Sequence, residues 1–543
     1  MSSVARWQTQ NRLTGLTKWL MVFSLFVCIQ STAFAHDGDD KRPLEHEDYD
    51  RWNTIGTQSI SNDGKWISYS VVNGKDESTL KIRSATSDRE YSVAFGTGGR
   101  ISYDSKYAAY RIQPDPELVK KLKKEKKKPS EMPKSKFEIL HLESGRHWTM
   151  TGVSSFSTPR ENGKWIAYLL EAAKEDKTLK KNTSEVSESY EVTGEGLKRA
   201  SKESASEKKP EEKAKEKSKG KSKEKPSAKK EKPDEKKKPD SKGKGKKKEK
   251  AAGTTLVLHN LETHLERRFP NVSSFSFSKD GSMLAMATST KDEPESDGVT
   301  VIDLEADEMK QIINGLGNYK NLAFNDDGSQ LAFLTNRDDY EPKDSSWAMY
   351  HWKKKQKTAK KIAVEGDKGI PEGWWLSPST TASFAENGSR LYFNTMPKPE
   401  DANKEEDEDK EPVVKLDIWH WQDPQLQPQQ LLQAQQERRR SFRAAFDLST
   451  KKIAQLAGKE IPNVSIDPRS KSEVALAVTN EKYKKRLSWD ISGYRDVYLV
   501  DIKTGEKKLL IEKLRGNAQI SPDGKFIVYW DTESQHWLSL IHI

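Results

Sequence analysis

Cysteine is all but missing from this 543-residue chain, in which Cys28 stands alone. It lies in the apolar stretch Trp19–Ile29, between the cations Arg6, Arg12 and Lys18 and the small-x-small triplet Ala33-Phe34-Ala35. That order of charged, apolar and cleavage-type segments reads as a secretory signal over residues 1–35. Its removal would leave a mature chain without cysteine, which excludes disulfides, thiol nucleophiles and zinc–thiolate sites. Long hydrophobic runs are missing too. The apolar stretch is too short for a permanent span and polar residues follow at once, so the expectation is export to the periplasm or beyond with no stable membrane insertion.

Catalytic signatures are equally scarce. The chain holds no G-x-S-x-G elbow, no H-E-x-x-H helix, no G-x-x-x-x-G-K-[ST] loop and no paired C-x-x-C. His46-Glu47 lacks the second histidine of a zinc helix, and the segment His36-Asp37-Gly38-Asp39-Asp40 reads as a polar terminus before it reads as a metal site. No catalytic, cofactor-binding or metal-binding residue is assigned, no cofactor is expected, and substrate-binding residues stay unassigned. A net charge of +11 points at first to nucleic acid or an anionic surface. Residues 201–250, however, contain 22 Lys against 11 Asp or Glu, which accounts for the whole excess. The remainder is neutral, and no nucleic-acid partner is expected.

What the sequence does have is a repeat. AQISPDGKFIVYW (518–530) has relatives in SISNDGKWISYSV (59–71), RISYDSKYAAYRI (100–112) and STPRENGKWIAYL (157–169). FSFSKDGSMLAMA (275–287), LAFNDDGSQLAFL (322–334), ASFAENGSRLYFN (382–394) and the weaker NVSIDPRSKSEVALAV (463–478) bring the copies to eight. In each, Pro or Asn, Asp and Gly supply the backbone of a tight reversal between strands. The β-branched and aromatic run that follows shows little alternation, as expected of a strand covered on both faces. A second hairpin follows most copies, as in VTVIDLEADEMKQI (299–312) and DVYLVDIKTGEKKLL (496–510). Two hairpins per unit make four strands, and four-stranded units of this length repeated radially make an all-β propeller of seven or eight blades over residues 44–537.

The irregular stretches 113–135, 171–252, 399–412 and 478–495 all fall between the second and third strands of a unit. In an antiparallel blade, connections after the second and fourth strands emerge on one side, so these loops should crowd one rim and the Asp-Gly turns the other. The Lys/Glu-rich insertion at 171–252 has too few apolar residues to fold and is expected to be disordered. The paired Trp374 and Trp375 are expected to fill a core or rim. Arg438, Arg439 and Arg440 are placed either around a peptide carboxylate in the central channel or on a solvated loop.

EHEDYDRWNTIGTQSISNDGKWISYSV (45–71), the S-P-D-G-K turn and SWDISGYRDVYLVDIKTGEKKLL (488–510) together resemble the N-terminal propeller of exported prolyl oligopeptidase family serine peptidases. The resemblance covers the chain from about Leu44 to Trp537. It implies a propeller that gates peptide substrates for an α/β-hydrolase domain carrying Ser, Asp and His, a domain not contained in this chain, which would be inactive by itself. An acidic propeller motif of the dipeptidyl peptidase kind finds no match, since Glu405-Glu406 lies in a low-complexity acidic loop. The final LSLIHI (538–543) is what CTGTCTCTTATACACATC encodes, a string resembling a transposase adapter from sequencing libraries. Residues 538–543 therefore read as a non-native tail, with the natural chain expected to continue. The alternative is a TolB-like envelope propeller that acts as a protein-binding scaffold.

Overall fold

The computed structural model describes residues 44–75, 77–128, 131–172, 188–193, 196–199, 250–340, 345–398, 419–467, 472–490 and 493–541. The signal over 1–35 and the acidic pair Glu405-Glu406 lie outside them, as does most of the insertion at 171–252. Within that insertion a short strand pair, Glu188–Thr193 and Gly196–Arg199, is described, the first strand lying parallel to Glu266–Phe277. Its last residues, 250–252, are described as well.

Consecutive strands pair antiparallel into eight blades. Blade 1 runs through Thr54–Ile60, Trp66–Val72, Ser78–Ser84 and Glu90–Ala94, and blade 2 through Gly96–Ile101, Tyr107–Ile112, Lys136–His141 and His147–Thr151. Blade 3 comprises Val153–Ser157, Trp165–Leu170, Thr254–Asn260 and the first half of Glu266–Phe277. The second half of that 12-residue strand is the innermost strand of blade 4, which continues with Met283–Thr288, Gly298–Asp303 and Glu308–Asn314. The strand can change blades because Asn271, at φ +59°, rotates it at the crossing. Blade 5 is Tyr319–Phe324, Gln330–Thr335, Ala348–Lys353 and Lys360–Ala363. Blade 6 has a broken inner strand, Trp374–Leu376 and Ser383–Phe384, followed by Arg390–Pro397, Phe442–Asp447 and Ile453–Gln455. Blade 7 is Asn463–Ser465, Val474–Thr479, Arg495–Asp501 and Lys507–Leu514. Blade 8 has three strands, Ala518–Ile520, Phe526–Asp531 and His536–Ile541. Residues 538–541, set apart above as a tail, pair with Phe526–Tyr529 as part of that third strand.

The core is divided among the gaps between blades. Seven apolar clusters each draw on two successive blades, from 1 and 2 through to 7 and 8. This explains the unpatterned apolar runs. In Met283–Thr288, Met283, Ala285 and Ala287 face blade 5 while Leu284 and Met286 face blade 3, so alternation along the strand divides residues between two cores. The end blades differ from that expectation. Trp66–Val72 in blade 1 alternates between buried and exposed residues, and in blade 8 Phe526 and Val528 are exposed beside buried Ile527. Among the described residues, each end blade shares an apolar cluster with a neighbour on one side only.

Candidate functional site

The repeated turns are built from side chains as well as from Asp and Gly. In blade 1 the Ser61 hydroxyl donates to Asp63 (2.7 Å) and accepts from the Trp66 amide (2.9 Å). Ser102, Ser278 and Ser521 make the same two bonds in blades 2, 4 and 8, and Asn325 substitutes with its amide in blade 5. In blades 1 and 8 these donors favour the ionised aspartate. The Ser61 hydroxyl and then the Lys65 amide lower the pKa of Asp63, and Ser521 does the same for Asp523. Gly64, Gly281, Gly328, Gly388 and Gly524 all sit between φ +65° and +73°, a region that Ser105 occupies in blade 2 at +60°.

Successive turns interlock. A Cβ on Gly281 would lie 2.8 Å from Pro159 and Asn162 of blade 3, and one on Gly328 would lie 3.1 Å from Ser278 of blade 4. The Arg160 and Glu161 amides donate to the Lys279 carbonyl, and the Asn62 side chain donates to the Tyr103 carbonyl. Gly64 of blade 1 has nothing within 4 Å of its Cβ position, in keeping with an end blade.

Next to this rim the innermost strands of blades 1 to 6 enclose a central cavity of about 790 Å³. Its wall mixes hydroxyl-bearing residues, Thr57, Ser59, Thr158, Ser276, Thr381 and Ser383 among them, with apolar ones such as Ile60, Ile101, Phe277, Leu322, Phe324 and Phe384. Four charged residues reach it: Arg100, Arg160, Lys279 and Asp326. Lys279 is bound on both sides, to Glu161 (3.0 Å) and Asp326 (3.2 Å), and these hydrogen bonds raise its pKa. Arg100 lies in the wall with its guanidinium 5.8 Å from the centre of the Phe156 ring.

The opposite rim carries the connections between second and third strands, and neighbouring insertions touch. Lys134 of blade 2 pairs with Glu171 of blade 3 (2.7 Å), and Arg440 of blade 6 pairs with Glu481 of blade 7 (3.7 Å). Lys485 stands 4.5 Å over the Trp421 ring. Lys250, at the end of the Lys-rich insertion, binds buried Asp297 and the Gly317 carbonyl (2.8 Å). The insertion is thus fixed to blade 4 at a residue that composition assigned to its disordered part. Burial raises the Asp297 pKa against the pull of Lys250.

The residues singled out by sequence fall away from the cavity. Trp375 is buried and Trp374 packs 5.0 Å from Phe442, so both fill blade 6. Arg438 and Arg439 are exposed at the end of the helix Gln427–Arg438 and do not line the cavity. Arg100 was missed, although its signal was available: RISYDSK puts arginine where other copies have the uncharged Ser59, Thr158, Ser276, Ala323, Ser383 and Gln519. Among the described residues, no group of three or more His, Cys, Asp or Glu is placed to hold a metal ion, and no helix is long and apolar enough to cross a membrane.

No family model and no curated protein matches the chain in sequence. Solved structures do resemble it in fold. The β-propeller domain of the Trilobed protease from Pyrococcus furiosus aligns at 11% identity and a TM-score of 0.31, covering 85% of this chain and 99% of that one. An acylaminoacyl peptidase from Pyrococcus horikoshii aligns at 9% and 0.33, covering 88% of this chain and 57% of that one. TolB from Acinetobacter baumannii aligns at 14% and 0.23, covering 53% and 56%. The chain thus spans a little over half the length of the peptidase. All are consistent with an all-β propeller, and similarity of this degree carries no functional argument.

Proposed function

We propose that the chain is the substrate-gating propeller of an exported peptidase of the prolyl oligopeptidase type, whose central cavity admits peptide and excludes folded protein. The observation that carries this reading is the cavity. Six inner strands enclose about 790 Å³, within the range of sites that hold a drug-sized ligand or a few residues of extended peptide. Its wall offers hydroxyls to a peptide backbone beside apolar side chains that can pack against those of the peptide. The acyl-transfer chemistry, with serine nucleophile, histidine base and oxyanion hole, belongs in this reading to a separate hydrolase domain. The propeller contributes access.

The test uses the natural gene product, exposed to a fluorescent phosphonate that labels active serine hydrolases and to chromogenic peptides of rising length. Labelling, with turnover of short peptides and none of folded protein, is the expected result. A protein that takes no label is not a serine peptidase. A scaffold role is the second reading, favoured by the exposed Trp419, Trp421 and Trp489 on the insertion rim, since tryptophan is enriched where proteins dock. It predicts no labelling and loss of a cross-linked partner in Trp421→Ser.

A further inference from the structure

We propose that the central cavity selects anionic peptides, with the Arg100 guanidinium as the group that holds their carboxylate. The inference rests on the reading of the cavity as a peptide passage and adds the class of peptide it prefers.

Counting back two residues from the first turn residue of blades 1 to 6 gives Ser59, Arg100, Thr158, Ser276, Ala323 and Ser383, all of which line the cavity. Five of the six are small and uncharged, and at this level of the wall Arg100 alone brings charge. The guanidinium is set against the Phe156 ring of the next blade, which favours a defined direction over free motion in solvent. Among the described residues neither Arg100 nor Arg160 forms an ion pair. The nearby acids are committed elsewhere, because Glu161 and Asp326 both bind Lys279. The cavity is therefore lined by two arginines without an ion-pair partner among the described residues, which favours an incoming anion.

Arginine also decides which anion. Its planar fork donates two parallel N–H bonds to one carboxylate, a geometry a lysine cannot reproduce. The surrounding hydroxyls can serve the peptide's amides. A carboxylate can come from a peptide's C-terminus or from an acidic side chain, and the experiment separates them.

Isothermal titration of the full chain would compare a hexa-alanine acid, its C-terminal amide, and the same amide with one internal glutamate. The expected result is binding of at least one carboxylate peptide about tenfold tighter than the neutral amide, as a charge-assisted bidentate pair supplies. The free acid winning identifies C-terminal capture, and the glutamate peptide winning identifies side-chain capture. Arg100→Gln should bring all three within about twofold, Arg100→Lys should keep part of the preference, and Arg438→Gln, away from the cavity, should change nothing. Thermal melts of each variant show that it folds. Equal binding of acid and amide overturns the proposal while leaving the passage intact. If no peptide binds at all, the passage reading falls as well.

Discussion

On the turn rim, Ser61, Ser102, Ser278 and Ser521 make one and the same pair of hydrogen bonds in four blades. On the insertion rim each contact is particular to its place: Lys250 with Asp297, Arg440 with Glu481, Lys485 over Trp421. The first rim repeats because every blade must reverse its chain within reach of the next, and the smallest local solution is a seryl or asparaginyl hydrogen-bonded turn closed by glycine. The second rim has no such constraint, since a connection after the second strand can be of any length without disturbing strand pairing. Repetition marks where the fold is specified, and irregularity marks where contacts can diverge.

The largest expected effect would break this contrast on the insertion side. Lys250 and Asp297 have side chains 8% and 0% exposed, and Asp297 also accepts from the Thr290 amide (2.7 Å). Lys250→Met leaves an unpaired buried carboxylate, and the expected loss is about 3–5 kcal/mol, measured by denaturant unfolding. A deletion ending at residue 249 should cost far less than one ending at 250. If the two deletions melt together, the anchor is illusory and the insertion rim is uniformly loose.

The interlock of the turn rim is tested next. Gly281→Ala meets both the strain of its positive φ and the side chains of Pro159 and Asn162, for an expected loss of about 2–4 kcal/mol. Gly64→Ala meets the same φ with open space around it, and about 1 kcal/mol is expected. The difference between the two melts isolates the contact between blades. Equal losses would mean that glycine is there for φ alone.

Acid should reach the turn rim through His351. This buried imidazole contacts Gln330 (Nε2 to Oε1, 2.9 Å), whose amide nitrogen donates to the Gly388 carbonyl in the next blade (3.1 Å). Burial, with Lys353 nearby, pushes its pKa down to about 4. A depressed histidine pKa means that the unfolded chain takes up the proton first, so stability is full above pH 6.5 and falls as pH drops toward 4. The expected loss between pH 8 and pH 5 is about 2 kcal/mol. His351→Phe should remove that slope from a series of thermal melts. A slope that persists would place the acid sensitivity elsewhere.

Much of the architecture could be read in advance because the S-x-D-G turn is local. Ser61 to Trp66 spans six positions, and its hydrogen bonds need nothing from the rest of the chain. The insertion positions followed from strand order for the same reason. What could not be read depended on distant partners. Lys250 looks like one of 22 lysines in a polar tract, and only the fold brings Asp297 and the Gly317 carbonyl to it. The run Phe526–Asp531 has the composition of a doubly covered strand, yet Phe526 and Val528 are exposed, because among the described residues its blade shares an apolar cluster with blade 7 alone. Arg100 lies between these cases. The aligned repeats expose it as the odd residue, but the wall around it comes from five other blades.

The smallest expected effect on stability belongs to the most conspicuous side chains. Trp419 and Trp421 are 66% and 75% exposed, and the helix Gln427–Arg438 that follows has no buried residue. Removing them takes almost no apolar area out of a core, and the Lys485 contact with Trp421 is an exposed cation–π pair worth about 0.5–1 kcal/mol at most. Trp419→Ser should leave the melting curve unchanged and Trp421→Ser should shift it by no more than that pair. This is the reverse of the turn rim, where adding one methyl group to Gly281 is expected to cost several times as much. If Trp419→Ser instead unfolds the chain, the insertion rim carries stability of its own, and the division of labour between the two rims does not hold.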